Sequence, residues 1–173
     1  SLVLLPKEPM QMRLADHRVG WFTLKKIDYS SQALKSDDFQ VAVRWRLEPK
    51  DLEAYKRGAL VEPKNPIVFY LDPATPLKWR PYFKQGIEDW QQTFESAGFK
   101  NAIIAKDPPS LEEDPDFSPE DVRYSTVRYV ASTTRNAVGP SVKDPRSGEI
   151  IESDVIWYHN HLRSYRNRYL LET

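Results

Sequence analysis

From Pro66 to Leu71 the chain reads Pro-Ile-Val-Phe-Tyr-Leu, an apolar run closed by Asp72-Pro73, which predicts a short strand covered on both faces. After the turn Asp72 to Pro76 the period changes. Phe83, Ile87, Trp90, Phe94 and Ala97 fall on one helical face and Lys84, Glu88, Gln91 and Glu95 on the other, so an amphipathic helix is expected, with the first set as core rather than a cofactor box. Thr75 suits an N-cap and Pro76 the first helical position, but Pro81 removes a hydrogen bond. The first turn is therefore expected to be irregular, with a regular helix from about Pro81. Gly98 is placed to end it in the left-handed conformation.

Two further strands are expected, one over Asn101 to Lys106, closed by Pro108-Pro109, and one over Val122 to Ala131, separated by an acidic loop. Ala137 to Lys143 and Glu149 to Tyr158 then flank Asp144-Pro145-Arg146-Ser147-Gly148, the composition of a hairpin turn. Pro140 has no N–H to give a ladder, which predicts an edge position for its strand. An exposed edge can accept an extended peptide through main-chain hydrogen bonds.

Upstream, Val19 to Tyr29 reads as extended, and Phe39, Val41, Val43, Trp45 and Leu47 alternate with polar or small residues. An antiparallel pair joined through Ser30 to Asp38 is expected, then a short helix from Lys50 to Arg57 ended by Gly58. Glu62-Pro63-Lys64-Asn65-Pro66 has linker composition. The expected organisation is thus a β-rich segment over 1–62 and a main domain over 63–173. The fold class is α+β: a twisted mixed β-sheet with one long packed helix, preceded by a small antiparallel β segment.

Composition narrows this picture only modestly. At 173 residues and 40% hydrophobic, the chain suffices for one core of ordinary size. Lys and Arg (25) balance Asp and Glu (25), which argues against a dedicated binder of nucleic acid or anionic membrane. No apolar run approaches the roughly 20 residues of a membrane-spanning helix. Without Cys there is neither a disulfide framework nor a thiolate metal site. No Ser-His-Asp, Cys-His or phosphate-loop pattern is present.

The wording of several segments resembles the large zinc-dependent metalloproteases of Bacteroides-type bacteria, whose catalytic domain is metzincin-like. The segments are Pro66 to Pro76, Gly86 to Phe99, Ser118 to Tyr124 and Gly139 to Tyr158; Glu8 to Phe22 and Trp45 to Lys50 resemble the part that precedes that domain. The resemblance implies the N-terminal subdomain of a metzincin-like protease and an exported protein. It also implies a cleft roofed by this sheet, with peptide or protein substrate pairing along Ala137, Val138, Gly139, Ser141 and Val142. Zinc would be held by a His-Glu-x-x-His helix that this sequence does not contain. That helix is expected beyond Thr173, which makes the chain part of a longer protein and inactive alone. The reading from another class is a non-catalytic module of a secreted or surface protein, binding protein or glycan.

Four groups of residues invite other chemistry. His159 and His161, two apart at a strand end, are candidate metal ligands against a reading as solvated polar side chains. By resemblance, Asp16 is a candidate zinc ligand in a latent form, against a turn held by an Asp-Arg pair. Glu112, Glu113, Asp114, Asp116, Glu120 and Asp121 lack calcium-loop spacing and read as a solvated loop. Arg163, Arg166 and Arg168, with Tyr165 and Tyr169, read as the start of a helix rather than a nucleic-acid surface.

Overall fold

A computed structural model describes residues 2–30, 32 and 34–172. Its elements in order are β1 (Thr23–Asp28), β2 (Asp37–Ala42), α1 (Leu52–Lys56), β3 (Ile67–Leu71), α2 (Arg80–Glu88), α3 (Gln91–Ser96) and β4 (Ile103–Lys106). There follow β5 (Ser125–Val130), β6 (Ala137–Val138), β7 (Ser141–Lys143), β8 (Ile150–Ser153), β9 (Val155–Tyr158) and α4 (His161–Glu172). The class is α+β with a mixed sheet, as the patterning predicts.

The chain divides into two compact units, 1–46 with 141–152 and 47–140 with 153–173. The expected linker, Glu62 to Pro66, lies inside the second unit, because the stretch before it is already tied there. Val61 bridges Phe99, and Val61, Phe99 and Ala102 form a buried cluster flanked by Leu47, Ala54, Tyr55 and Phe94. α1 leads into that cluster, and the Asp51 side chain accepts the Ala54 N–H at its start.

The second unit is built on five strands in the order β4-β3-β5-β9-β6. β3 is parallel to both its neighbours, β5 is parallel to β9, and β6 alone runs antiparallel. Ile67, Phe69 and Leu71 are buried from β3 and Val127 from β5, while α2 packs against β3 and β4. The apolar run Ile67 to Leu71 is β3, between two parallel partners, with Ile67, Phe69 and Leu71 buried on one face and Val68 and Tyr70 half-buried on the other.

The long helix departs from expectation at its middle. Asp89 and Trp90 keep right-handed helical dihedrals, but the Trp90 N–H bonds Ile87 O, three residues back, and the helix restarts as α3. Trp90 emerges 61% exposed, not in the core. Gln91, assigned by periodicity to the solvent face, instead accepts the Ala102 N–H at 2.9 Å and donates to Phe99 O at 3.2 Å. Thr75 does not cap a helix. It is buried in the turn after β3, its N–H on Asp72 O, and the helix begins at Arg80. Gly98 does end α3 at φ +90°, where a Cβ would meet the Tyr55 ring at 2.7 Å.

In the first unit β1 and β2 pair antiparallel, Thr23 opposite Ala42 through Asp28 opposite Asp37; part of the expected connection 30–38 lies outside the described residues. The other side of β2 is met by Arg13 O and the Ala15 N–H. Beyond β2, Arg44 bridges Glu149 in parallel, and β7 and β8 form their own two-stranded sheet around the turn 144–148.

Candidate functional site

Hydrogen-bond parity along β6 decides which groups face outward. The Tyr158 N–H bonds Asn136 O, the Asp154 N–H bonds Pro140 O at 3.0 Å, and Val138 lies opposite Ile156. In an antiparallel ladder these alternate residues turn both main-chain groups toward the partner strand, so those of Ala137 and Gly139 turn away from β9. β6 is last in the sheet order, and its outer side is an open edge. The Ala137 N–H is engaged by the Asn136 side chain at 2.9 Å. The outward set is therefore Ala137 C=O with Gly139 N–H and C=O.

Pro140 fits this edge for a reason finer than the sequence rule. Its missing donor faces inward, toward Asp154, where the ladder ends. Asp154 holds this end from two sides. Its N–H binds Pro140 O while its Oδ1 accepts the Thr126 N–H at 2.9 Å and the Thr126 hydroxyl at 2.6 Å. The Ser153 hydroxyl adds a bond to Pro140 O, and its N–H reaches the Ser125 hydroxyl. Asn136 and Asp154 fix the two ends of the edge strand, and sequence reasoning missed both. No local signal marked either, since Asn136 lies between Arg135 and Ala137 and Asp154 between Ser153 and Val155.

The five residues expected to form one binding edge do not share a sheet. Ala137 and Val138 form β6 and Gly139 follows it, whereas Ser141 and Val142 belong to β7, paired to β8 in the other unit. The hairpin is thus split at Gly139-Pro140. Pro140 has no N–H to give a ladder, and the pairing changes from β9 to β8 across it.

His159 and His161 do not sit on one strand face. β9 ends at Tyr158, His159 lies in the turn, and His161 opens α4. His159 Nδ1 shares a hydrogen bond with the Tyr129 hydroxyl. The His161 ring packs edge-on to Trp157, centroids 4.9 Å apart, and to Tyr165 at 4.7 Å. Among the described residues no three His, Cys, Asp or Glu come together in metal-holding geometry. His159 and His161 therefore gain no third ligand among the described residues.

Asp16 is engaged by Arg18: Oδ1 accepts the Arg18 N–H and Nε–H, and Oδ2 accepts Nη2 at 2.6 Å. The Arg18 guanidinium holds this carboxyl below its ordinary range. The acidic loop is largely occupied by its own neighbours. Glu113 accepts the Ser110 N–H, Asp114 the Tyr124 hydroxyl, Asp121 the Arg123 guanidinium and Glu120 that of Arg128. The bond to Asp114 pushes the Tyr124 hydroxyl upward, and Arg123 holds Asp121 down.

A family model described as "Domain of unknown function (DUF5117)" matches residues 1–50. No curated protein and no solved structure matches the chain. The matched stretch covers β1, β2 and the segment before them, and stops short of the five-stranded sheet.

Proposed function

We propose that the chain forms the substrate-pairing part of an exported zinc-dependent endopeptidase, with zinc, its ligands and the general base supplied by sequence outside these residues. The observation that carries the reading is the open edge at β6, where Ala137 C=O and Gly139 N–H and C=O are turned away from β9. The resemblance of the segments quoted above to zinc metalloproteases gives that edge its substrate.

An extended peptide placed along β6 becomes a sixth strand. Gly139 donates to a peptide carbonyl, and Ala137 and Gly139 accept peptide N–H groups, each bond contributing about 0.5–1.5 kcal/mol net. Such bonds read main chain, not side chains. They fix the scissile bond in an extended conformation and exclude water from one side of it. Zinc held by sequence outside these residues would supply the activated water of this enzyme class, and the residues here would only hold the peptide.

The test uses the protein that carries this chain together with a zinc helix. Gly139→Pro removes the outward donor and lowers kcat/KM for a peptide substrate roughly tenfold, the equivalent of one hydrogen bond of about 1.4 kcal/mol. A substrate N-methylated at the positions opposite Ala137 and Gly139 loses as much with the unaltered protein, which separates pairing from misfolding. Turnover indifferent to both changes would overturn the proposal. Peptide binding without any hydrolysis would instead favour a non-catalytic module.

A further inference from the structure

The chain is neutral overall, yet its charge is unevenly placed. Residues 131–140 and 155–171 carry Arg135, Arg163, Arg166 and Arg168 and not one Asp or Glu. Arg168 is paired with Glu172 at 2.8 Å, whereas neither Arg163 nor Arg166 has a carboxylate partner among the described residues. Both line a cleft of about 480 Å³ with His159, Asn160, Leu162 and Asn167. Residues 163, 166 and 167 are three and four apart on α4, so one helix face presents two guanidinium groups and an amide to the same space. His159 lines the same cleft, its Nδ1 taken by the Tyr129 hydroxyl.

This donor set has one chemical sense. Guanidinium forks match the paired oxygens of a carboxylate or phosphate, and no carboxylate is among the residues that line the cleft. Three bonds locate the cleft relative to the edge strand. The His159 N–H binds Val130 O at 2.9 Å, the Asn160 side chain donates to Thr133 O at 3.1 Å, and the Tyr158 N–H binds Asn136 O at 3.3 Å. The start of α4 is thereby fastened to the residues that lead into β6. A peptide running along β6 and past its N-terminal end heads toward 133–136, the residues to which the start of α4 is bonded.

We infer that His159, Arg163, Arg166 and Asn167 form an anion subsite that takes an acidic side chain of the extended peptide paired on β6. The inference rests on the pairing proposed above and adds a substrate class to it: peptides bearing a carboxylate, or a phosphate, beyond the N-terminal end of the edge strand.

The experiment measures binding of fluorescent extended peptides to the full chain by anisotropy. One series holds Glu, Gln or phosphoserine at a single scanned position. A Glu or phosphoserine peptide binds at least tenfold tighter than its Gln counterpart at one register, and 0.5 M salt removes most of the difference. In the Arg163→Gln and Arg166→Gln double variant the preference disappears while the Gln peptide binds as before; both side chains are exposed, and unchanged circular dichroism shows the fold is kept. The ratio of Glu to phosphoserine affinity separates a carboxylate site from a phosphate site. If all three peptides bind equally, the subsite is overturned and β6 pairing stands. If backbone N-methylation leaves the acidic preference intact and costs no affinity, the subsite stands and β6 pairing fails. Displacement of the acidic peptide by single-stranded RNA at lower concentration, lost in the same double variant, would overturn a peptide ligand in favour of nucleic acid.

Discussion

In the five-stranded sheet the buried side chains of β3, Ile67, Phe69 and Leu71, are apolar and β5 adds Val127 beside buried Ser125 and Thr126, whereas around the turn joining β7 and β8 they are Asp144, Ser147 and Glu149. The first region excludes water because its side chains gain by leaving it. In the second the buried Asp144 and Glu149 carboxylates are each met by an arginine. Asp144 accepts the Arg146 N–H and, through both oxygens, its guanidinium; Arg146 also reaches Pro6 O, and Arg46 joins Glu149 to Glu8 O. Arginines tie the N-terminal segment to the turn within that unit. The same degree of burial thus answers to different perturbations, volume in one unit and charge or backbone geometry in the other.

The largest expected effect lies in the sheet. Leu71 is fully buried at the end of β3, and Leu71→Ala should cost about 2–5 kcal/mol through lost burial and the cavity left behind. Denaturant unfolding read by hydrogen exchange over 67–71 and 125–130 checks this. A smaller loss would show a sheet loose enough to collapse around the gap.

Gly148 comes next. It holds φ +77° in the turn, and a Cβ there would lie 2.6 Å from Ala42 O and 3.1 Å from Val41 Cγ1. Gly148→Ala should cost roughly 2–4 kcal/mol, left-handed strain added to overpacking. Exchange protection should fall in 141–152 and 41–44 and stay unchanged over β3. Equal loss in both regions would mean that the two units unfold as one.

The acid limb distinguishes the regions by charge. The Arg146 guanidinium holds Asp144 below its ordinary value of 3.8. A carboxyl depressed in the folded state adds stability that is complete above the unfolded value and is lost as pH falls through the folded one. Protection of 141–152 should therefore hold above about pH 4 and decline below it, and Asp144→Asn should lower it at neutral pH while flattening that decline. An acid limb unaltered by the substitution would assign the loss to other carboxyls.

The smallest effect sharpens the helix. Trp90→Gln should change stability by no more than about 0.5 kcal/mol, because the ring is mostly exposed, while Phe94→Ala, half-buried against the Val61-Phe99-Ala102 cluster, should cost several times that. Comparable losses from the two would return Trp90 to the core that its spacing predicted.

Much of the scaffold was legible residue by residue. The run Pro66 to Leu71 is β3, Gly98 ends α3, Asp144 to Gly148 turns the hairpin and Pro140 lies beside the sheet edge. What failed to show depended on partners distant in sequence. Gln91 looked like a solvent-face residue because nothing nearby reveals that Phe99 and Ala102 need its amide. His159 and His161 looked like strand neighbours because the register ending β9 at Tyr158 is set by β5. Ser141 and Val142 looked continuous with Ala137 and Val138, and only the pairing of β7 with β8 separates them.

The sequence by itself determined the elements and their class, since hydrophobic period, proline and glycine act over a few residues through local sterics and burial. Tertiary structure alone decided that β9 is inserted between β5 and β6, that the groups of Ala137 and Gly139 face outward, and that Arg163 and Arg166 share a cleft without a counter-charge. Those outcomes turn on hydrogen bonds and charges between residues far apart in the chain, and a local pattern cannot encode which distant group will arrive.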